Sequence, residues 1–425
     1  MEAKDAWERG QSSRLIEDPH VRRVQEQLAR GKELFLLRSN ELEQIRLELR
    51  RSAFDFFRRH SRFYDHLFEH LNIDVQAASL TDLARLAIPS DLLRGIGQMG
   101  YLIDNWEKGG STFQSSGTSG KDPVKVYRSP LDLAHMQRAT TDLFEHVRGC
   151  VYAQDKGTVL MMAAPEMRER MAFVSFVDLT VGKKGARLLY GMELGKDEKG
   201  EVSWERLVAN RENVIAFMRA KEEPKLLFAS PVVIDMLSNK FEGLGAVERL
   251  ASRLTTGAPP VELGRGGIVI TAGGSKKAVG LPEYGVMVEQ ARKHMRAMDD
   301  EGRPVPVPFM DLLGMAEGLT PMASMYGVHG KLPHPLADVF LLNPVTFEVM
   351  EEEGKEGILA MFNPMTTSWL ECFYPGDIAR FARSERYYGK EFEHVRRLTA
   401  QEGWGMQRAC GGSMEDMLRA GPGQL

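Results

Sequence analysis

The chain is poor in cysteine. Only Cys150, Cys372 and Cys410 occur in 425 residues, widely spaced and odd in number. With no C-x-x-C and no Cys/His grouping, the sequence argues against a disulfide framework or a structural zinc site. Long apolar runs are missing too. No uncharged stretch approaches the roughly 18 residues of a membrane-spanning helix. The opening "MEAKDAWERGQSSRLIEDPH" has no apolar segment of the kind a secretory signal carries. A cytoplasmic protein without membrane spans is the expectation. Nor is there an excess of positive charge: the formal net charge is −4, so no overall basic field favours nucleic acid. The arginines Arg46, Arg50, Arg51, Arg58, Arg59 and Arg62 are interleaved with acidic residues and predict a solvated helix face. No internal repeat or low-complexity tract occurs.

What is present is an ordinary globular composition. With 43% hydrophobic and 27% charged residues, the chain builds a substantial core, in two or three domain-sized units or one large α/β body with an appendage. Residues 20 to 90 read as helical, with apolar residues at three- and four-residue steps and no proline before Pro89. From about 112 the texture changes to short apolar runs separated by turn signals. "VLMMAAP" (159–165), "MAFVSFVDL" (171–179), "KLLFASP" (225–231), "GIVITAGG" (267–274) and "GILAMFNP" (357–364) predict buried strands, with helical patterns between them. That alternation implies a mostly parallel, covered sheet. Smaller β structure is expected over 330–381. The boundaries this suggests are 1–95 for a helical region packed on the body, 96–385 for the α/β body and 386–425 for a short C-terminal piece.

The densest chemistry lies in "FQSSGTSGKDPVKVYRS" (113–129). Gly117 and Gly120 leave room for backbone N–H groups to approach a ligand. Ser115, Ser116, Thr118 and Ser119 offer hydroxyls, and Lys121 a charge. The spacing is not G-x-x-x-x-G-K-[ST]: only two residues separate the glycines, and Asp122 follows the lysine. It is not G-x-G-x-x-G either. A flexible surface turn is the competing reading. Against it, the segment runs through a strand-like "VKVY" into a helix start, with Ser129 as N-cap, Pro130 at N1 and Asp132 at N3.

"SSGTSGKDPVKV" resembles the phosphate loop of the adenylate-forming superfamily, [ST]-[SG]-G-[ST]-[ST]-G-x-P-K. Further segments match in order. "ITAGGSKK" (270–277) is similar to the adenine-facing glycine segment. "FMDLLGMAEG" (309–318) resembles D-x-Y-G-M-T-E, with Leu313 for Tyr and Ala316 for Thr. "YPGDIARF" (374–381) resembles Y-x-T-G-D-x-x-R. Among the branches, the acyl-protein synthetases of bacterial luminescence are most similar, with the phenylacetate–CoA ligases second.

The resemblance implies an α/β large domain with a helical N-terminal region and a truncated C-terminal lid, and a ligase that uses ATP and Mg²⁺ to activate a carboxylic acid, an apolar or fatty one. Ser115, Ser116, Gly117, Thr118, Ser119, Gly120 and Lys121 would hold the phosphates. Gly273, Gly274 and Ser275 would face adenine, with Gly314 also at the nucleotide. Glu317, with Thr118, would bind Mg²⁺, Asp377 would accept from the ribose hydroxyls, and Arg380 would touch ribose or phosphate. "FASP" (228–231) and "FVSF" (173–176) would border the acyl pocket. His329 and His334 sit among prolines with no third ligand nearby and imply no metal site.

Family members usually carry a lid of about 100 residues with a catalytic lysine; here 48 residues follow Asp377, and Lys390 is the one lysine among them. The luminescence synthetases place an acyl-accepting cysteine near the C-terminus, which implies the same task for Cys410 in "RACGGSMEDML", beside Lys121 and Glu317 as catalytic residues. The same stretch also reads as a degraded hinge motif in which Cys410 has no task. Cys150 and Cys372 flank apolar segments and read as buried bystanders. Partners then follow: the carboxylic acid, an acyl acceptor that is a reductase-like or carrier protein or CoA, and neither nucleic acid nor membrane; an oligomer is compatible. The alternatives are a CoA or carrier-protein ligase of the phenylacetate type and a non-catalytic interaction protein with an inherited nucleotide pocket.

Overall fold

The computed structural model describes residues 10–95, 97–115, 122–149, 157–184, 186–197, 199–243, 261–272, 282–384, 387 and 389–398. Four helices open the described chain: α1 (Pro19–Ala29), α2 (Ser39–His60), α3 (Arg62–His70) and α4 (Leu80–Leu86). Each start has a local cause. Asp18 accepts from the His20 amide ahead of Pro19 at N1, Ser61 accepts from the Tyr64 amide, and Ser79 and Asp82 form a capping box. Helix α2 buries Leu42, Leu49, Ala53, Phe54, Phe56 and Phe57. Truncating any of these phenylalanines to alanine would cost about 3–5 kcal/mol.

A hairpin of β1 (Ser111–Gln114) and β2 (Lys125–Arg128) follows, paired Ser111 to Arg128 and Gln114 to Lys125. Ser129 then caps α5 (Pro130–Arg148): its Oγ accepts from the Asp132 amide at 3.1 Å, and Asp132 accepts from the Ser129 amide at 3.3 Å. Helix α5 is buried on almost every side.

Among the described residues the central sheet has six strands: β3 (Thr158–Met161), β4 (Arg187–Tyr190), β5 (Lys225–Ala229), β6 (Ile268–Ala272), β7 (Phe309–Leu313) and β8 (Met322–Met325). Their order is β8-β7-β6-β5-β3-β4, parallel throughout except for the β7–β8 edge. Side chains alternate between two cores. Val159, Leu226, Phe228, Ile270 and Met310 face the cluster that holds α5 and α6 (Ala172–Lys184). Leu160, Leu227, Val269 and Phe309 face α7 (Arg211–Arg219), α8 (Pro231–Gly243) and α9 (Tyr284–Arg292). Covering both faces is what nearly continuous apolar strands require.

A second sheet contains β9 (Asp338–Leu342), β10 (Gly357–Asn363), β11 (Glu371–Tyr374), β12 (Asp377–Arg383) and β13 (Lys390–Arg397), completed by short strands at 88–89 and 349–350. One face packs on the N-terminal helices through Phe54, Phe68, Leu83, Phe340 and Phe362; the other meets the β1–β2 hairpin through Val126, Leu341, Met361 and Phe373. Strand β13 pairs with β12 from Asp377 to Arg383, so the sequence boundary at 386 lies between two paired strands in the chain.

Two expectations are overturned. "MAFVSFVDL" is not a strand but the start of α6: it is apolar all round because it is buried all round, which removes the periodicity that would have marked a helix. The arginines of α2 do not share one solvated face. Arg50 is buried and paired with Asp338 at 2.8 Å, and Arg46 reaches the Pro335 carbonyl at 2.8 Å and the Tyr387 hydroxyl; Arg58 and Arg59, with Arg62 at the start of α3, are exposed as expected. Among the described residues, no helix is long and apolar enough to cross a membrane.

Candidate active site

In a mostly parallel sheet, ligands bind where the strands end at their carboxyl edge. Strand β7 ends at Leu313 and leads into Gly314–Glu317; β6 ends at Ala272, next to Gly273, Gly274 and Ser275. Those three residues lie outside the described ones, as do Ser116, Gly117, Thr118, Ser119, Gly120, Lys121, Cys150 and Cys410.

The base of the serine–glycine loop is described. Ser115 is buried; its amide donates to the Val124 carbonyl at 2.9 Å, and its Oγ accepts from the Val124 amide at 3.0 Å. The loop is therefore the connection of the β1–β2 hairpin, closed at its mouth by Ser115. Its exit is held as well, by Arg94 donating to the Asp122 carbonyl at 2.7 Å and by the Gly95 amide on Pro123.

Glu317 is fully buried, and the main chain of its turn is held at two points, its own carbonyl and the Leu319 amide. The Arg128 Nη2 donates to the Glu317 carbonyl at 2.5 Å, and the Leu319 amide donates to Glu371 Oε1 at 2.8 Å. Arg128 and Glu371 are themselves an ion pair with both side chains fully enclosed. Burial pushes the Glu371 carboxyl up to about 7, against the downward pull of Arg128. A second knot lies beside it. Asp132 Oδ1 accepts from the Thr367 amide at 2.6 Å and its hydroxyl at 2.8 Å, and Oδ2 accepts from the Ser368 hydroxyl. The start of α5 is thereby tied to the loop that enters β11.

Asp377 opens β12 and is buried, with Oδ1 at 2.7 Å from His394 Nε2 of β13. Gly376 ahead of it has φ +81, a left-handed conformation that glycine adopts without strain. Arg380 is not brought to Asp377: three residues on along a strand it faces the opposite side, and its guanidinium is engaged by Glu393 at 3.0 Å. Gly314 has a packing reason. A Cβ there would lie 3.1 Å from Phe176 and 3.6 Å from Phe173 of α6. Phe173 also approaches Phe228, with ring centroids 6.1 Å apart, so "FVSF" and "FASP" do border one apolar region. Ser230 of "FASP" caps α8 through the Val233 amide at 3.4 Å.

Several residues escaped the sequence reading: Arg128, Glu371, His394, and a polar group within the paired strands β6 and β7. There Thr271 lies 2.9 Å from Asp311 Oδ1 and 2.8 Å from the Tyr284 hydroxyl, and Lys331 pairs with Asp311. A charge inside an apolar strand, as in "WLECFY" or "VYRS", was the available signal, since such a charge is kept only with a partner. His334 is buried, accepts from the Leu336 amide at Nδ1, and is lowered to about 3 by burial and by Arg46 and Arg138. Among the described residues, no three His, Cys, Asp or Glu side chains are grouped to hold a metal. Lys390 lies over the Phe381 ring at 4.4 Å. Cys372 is buried, and burial raises its thiol well above the ordinary range.

No family model and no curated protein matches the sequence. Solved structures do match. 2-Hydroxyisobutyryl-CoA ligase in an open conformation, bound to 2-HIB-AMP and CoA, superposes with a TM-score of 0.58 at 14% identity, over 85% of this chain and 69% of that one. The same ligase in its thioesterification state gives 0.56 at 15% identity, over 84% and 68%. The chain has the fold of this ligase. At these identities the likeness is one of fold alone. ATP-bound MatB from Rhodopseudomonas palustris, with a TM-score of 0.40 at 15% identity over 67% of this chain and 47% of its own, is too distant to bear on it.

Proposed function

We propose that this protein activates a carboxylic acid with ATP, as an acyl adenylate, and passes the acyl group to a thiol. The observation that carries this reading is the convergence of three segments on one buried ion pair: the strand leaving the serine–glycine loop, the Glu317 segment and the strand running to Asp377. The fold shared with a CoA ligase supports it.

In this reading the 115–121 loop cradles the β- and γ-phosphates, with hydroxyls, backbone N–H groups and Lys121 stabilising the charge that builds on the departing pyrophosphate. Mg²⁺, which would come with ATP, would supply positive charge to the phosphates. One buried carboxylate suits an ion that keeps most of its ligands as phosphate oxygens and water, and Glu317 would supply it, with Thr118 of the serine–glycine loop as a second ligand. Asp377 would accept from the ribose hydroxyls, and 273–275 would face the base. Arg380, turned to Glu393, is left out of this role. Phe173 and Phe228 would wall an apolar acyl group. The division at 95 and 385 belongs to the same proposal, with strand 390–397 joining the body.

The test is acid-dependent exchange between pyrophosphate and ATP over a panel of short, aromatic and fatty acids. At least one acid should support exchange well above the acid-free rate; silence across the panel sinks the reading. The acceptor is proposed to be Cys410 or CoA, the second because the structural neighbour binds CoA. A Cys410→Ser protein separates them. Self-acylation predicts that a hydroxylamine-labile label is lost, and CoA ligation predicts that thioester formation on CoA persists.

A further inference from the structure

Arg128 and Glu371 are 243 positions apart and belong to different sheets, yet both are completely enclosed and in contact. Each also holds main chain in the same turn. Arg128 donates to the carbonyl of Glu317, and Glu371 accepts from the amide of Leu319, two residues on. The Trp369 ring lies 6.0 Å from the guanidinium carbon and covers the pair. Both residues stand at critical places in the chain. Arg128 ends the strand that leaves the serine–glycine loop; Glu371 begins the strand that runs, six residues later, into Asp377.

Two enclosed charges are a costly way to join two sheets. Apolar pairs of similar volume commonly hold a fold as well or better, and apolar contacts already join these elements through Val126, Met361 and Phe373. What an apolar pair cannot do is direct hydrogen bonds to a chosen carbonyl and a chosen amide. The planar guanidinium meets a carboxylate and a carbonyl together, a task a lysine ammonium cannot reproduce with the same geometry.

We propose that the Arg128–Glu371 pair is a positioning device: it fixes the 317–319 turn, and with it the Glu317 carboxylate, relative to the exit of the 115–124 loop and the strand leading to Asp377. This rests on reading those segments as the nucleotide site. Neither residue touches the reacting atoms; both act through Glu317 and the turn that carries it.

The experiment compares wild type with Arg128→Met/Glu371→Leu and with Arg128→Lys, by thermal melting, amide hydrogen exchange without ligand, and calorimetric titration with MgATP. The double variant should melt within a few degrees of wild type, because an apolar pair replaces the ionic one. Its amides from 315 to 320 should nevertheless exchange at least tenfold faster, while those of α2 and α5 keep their protection. MgATP affinity should fall at least tenfold. Arg128→Lys retains charge but not the two-way grip, and should show the same signature more weakly; it serves as the decisive protein if the double variant does not fold. Unchanged exchange at 315–320 in a folded variant overturns the proposal, as does faster exchange with unaltered MgATP affinity. If wild type neither binds MgATP nor supports acid-dependent exchange, the acid-activation reading falls. The 315–320 amides then decide the positioning of the turn by themselves.

Discussion

His394 shows how a buried carboxylate is given an orientation. Asp377 lies at the start of one strand and His394 on its neighbour, and the 2.7 Å contact from Nε2 to Oδ1 fixes the plane of the carboxyl group. If Asp377 holds the ribose hydroxyls, that plane decides whether both are met. Replacing Asp377 by Asn keeps the shape but removes the charge that makes its hydrogen bonds strong. MgATP affinity should then fall about tenfold or more, equivalent to about 1.4 kcal/mol. His394→Ala leaves the charge and loses only the orientation, so a smaller loss of about threefold is expected by calorimetry. Full affinity in Asp377→Asn would remove Asp377 from the ribose role. Equal losses in both proteins would mean that the histidine does more than orient.

At the scale of elements, what was legible in the sequence was whatever is decided locally. The start of α5 was readable because Ser129, Pro130 and Asp132 settle it among themselves. The strands at 225–229, 268–272 and 357–363 were readable because short apolar runs between turn residues have few other solutions. Helix α6 was not, since a helix buried on all sides shows the same unbroken apolar run as a buried strand. Arg50 was not, because the Asp338 that turns it inward is 288 residues away. The long-range clamps followed the same rule: Arg128 and Glu371, 243 positions apart, left no local pattern to read as a pair. Gly314 is the case between. Its motif marked it as a nucleotide residue, and the structure gives it the task of letting α6 close on the end of β7. A methyl group 3.1 Å from the Phe176 ring must displace that ring or the helix, so Gly314→Ala should cost about 1–3 kcal/mol in urea unfolding. A variant of wild-type stability with weakened nucleotide binding would instead make Gly314 a ligand-side residue.

Across the whole molecule, the N-terminal helices, α5 and the second sheet meet along a seam that contains neutral histidines. His20 of α1 bonds Ser52 of α2, and His135 of α5 bonds the Met365 carbonyl before β11. His146 stacks on Phe35 at 4.3 Å, and His334 meets the same ring edge-on at 5.6 Å. Burial lowers His20 and His334 to about 3 and His146 to about 4, and lowers His135 as well. The ordinary value is about 6.5, so on acidification the unfolded chain takes up these protons before the folded one does. The stability they contribute is complete above pH 6.5 and drains as the pH falls towards 4 for His146 and towards 3 for His20 and His334. Glu371, raised to about 7, and Asp338, raised by burial, act in the opposite direction, because the fold protonates them first. Between pH 6 and 5 the two deepest histidines outweigh Glu371 by one proton, a loss of about 1.4 kcal/mol per pH unit, and His135 and His146 add to it. The melting temperature should therefore be highest at neutral pH and fall steadily from pH 6.5 to 4.5. Replacing His334 by Leu should flatten that fall by about one proton, because among the described residues the His334 side chain makes one hydrogen bond, to the Leu336 amide, and sits against an aromatic ring. A melting temperature that holds or rises between pH 7 and 5 would mean that the seam carries its histidines charged, and that the N-terminal helices are held to the second sheet by something other than this neutral, apolar contact.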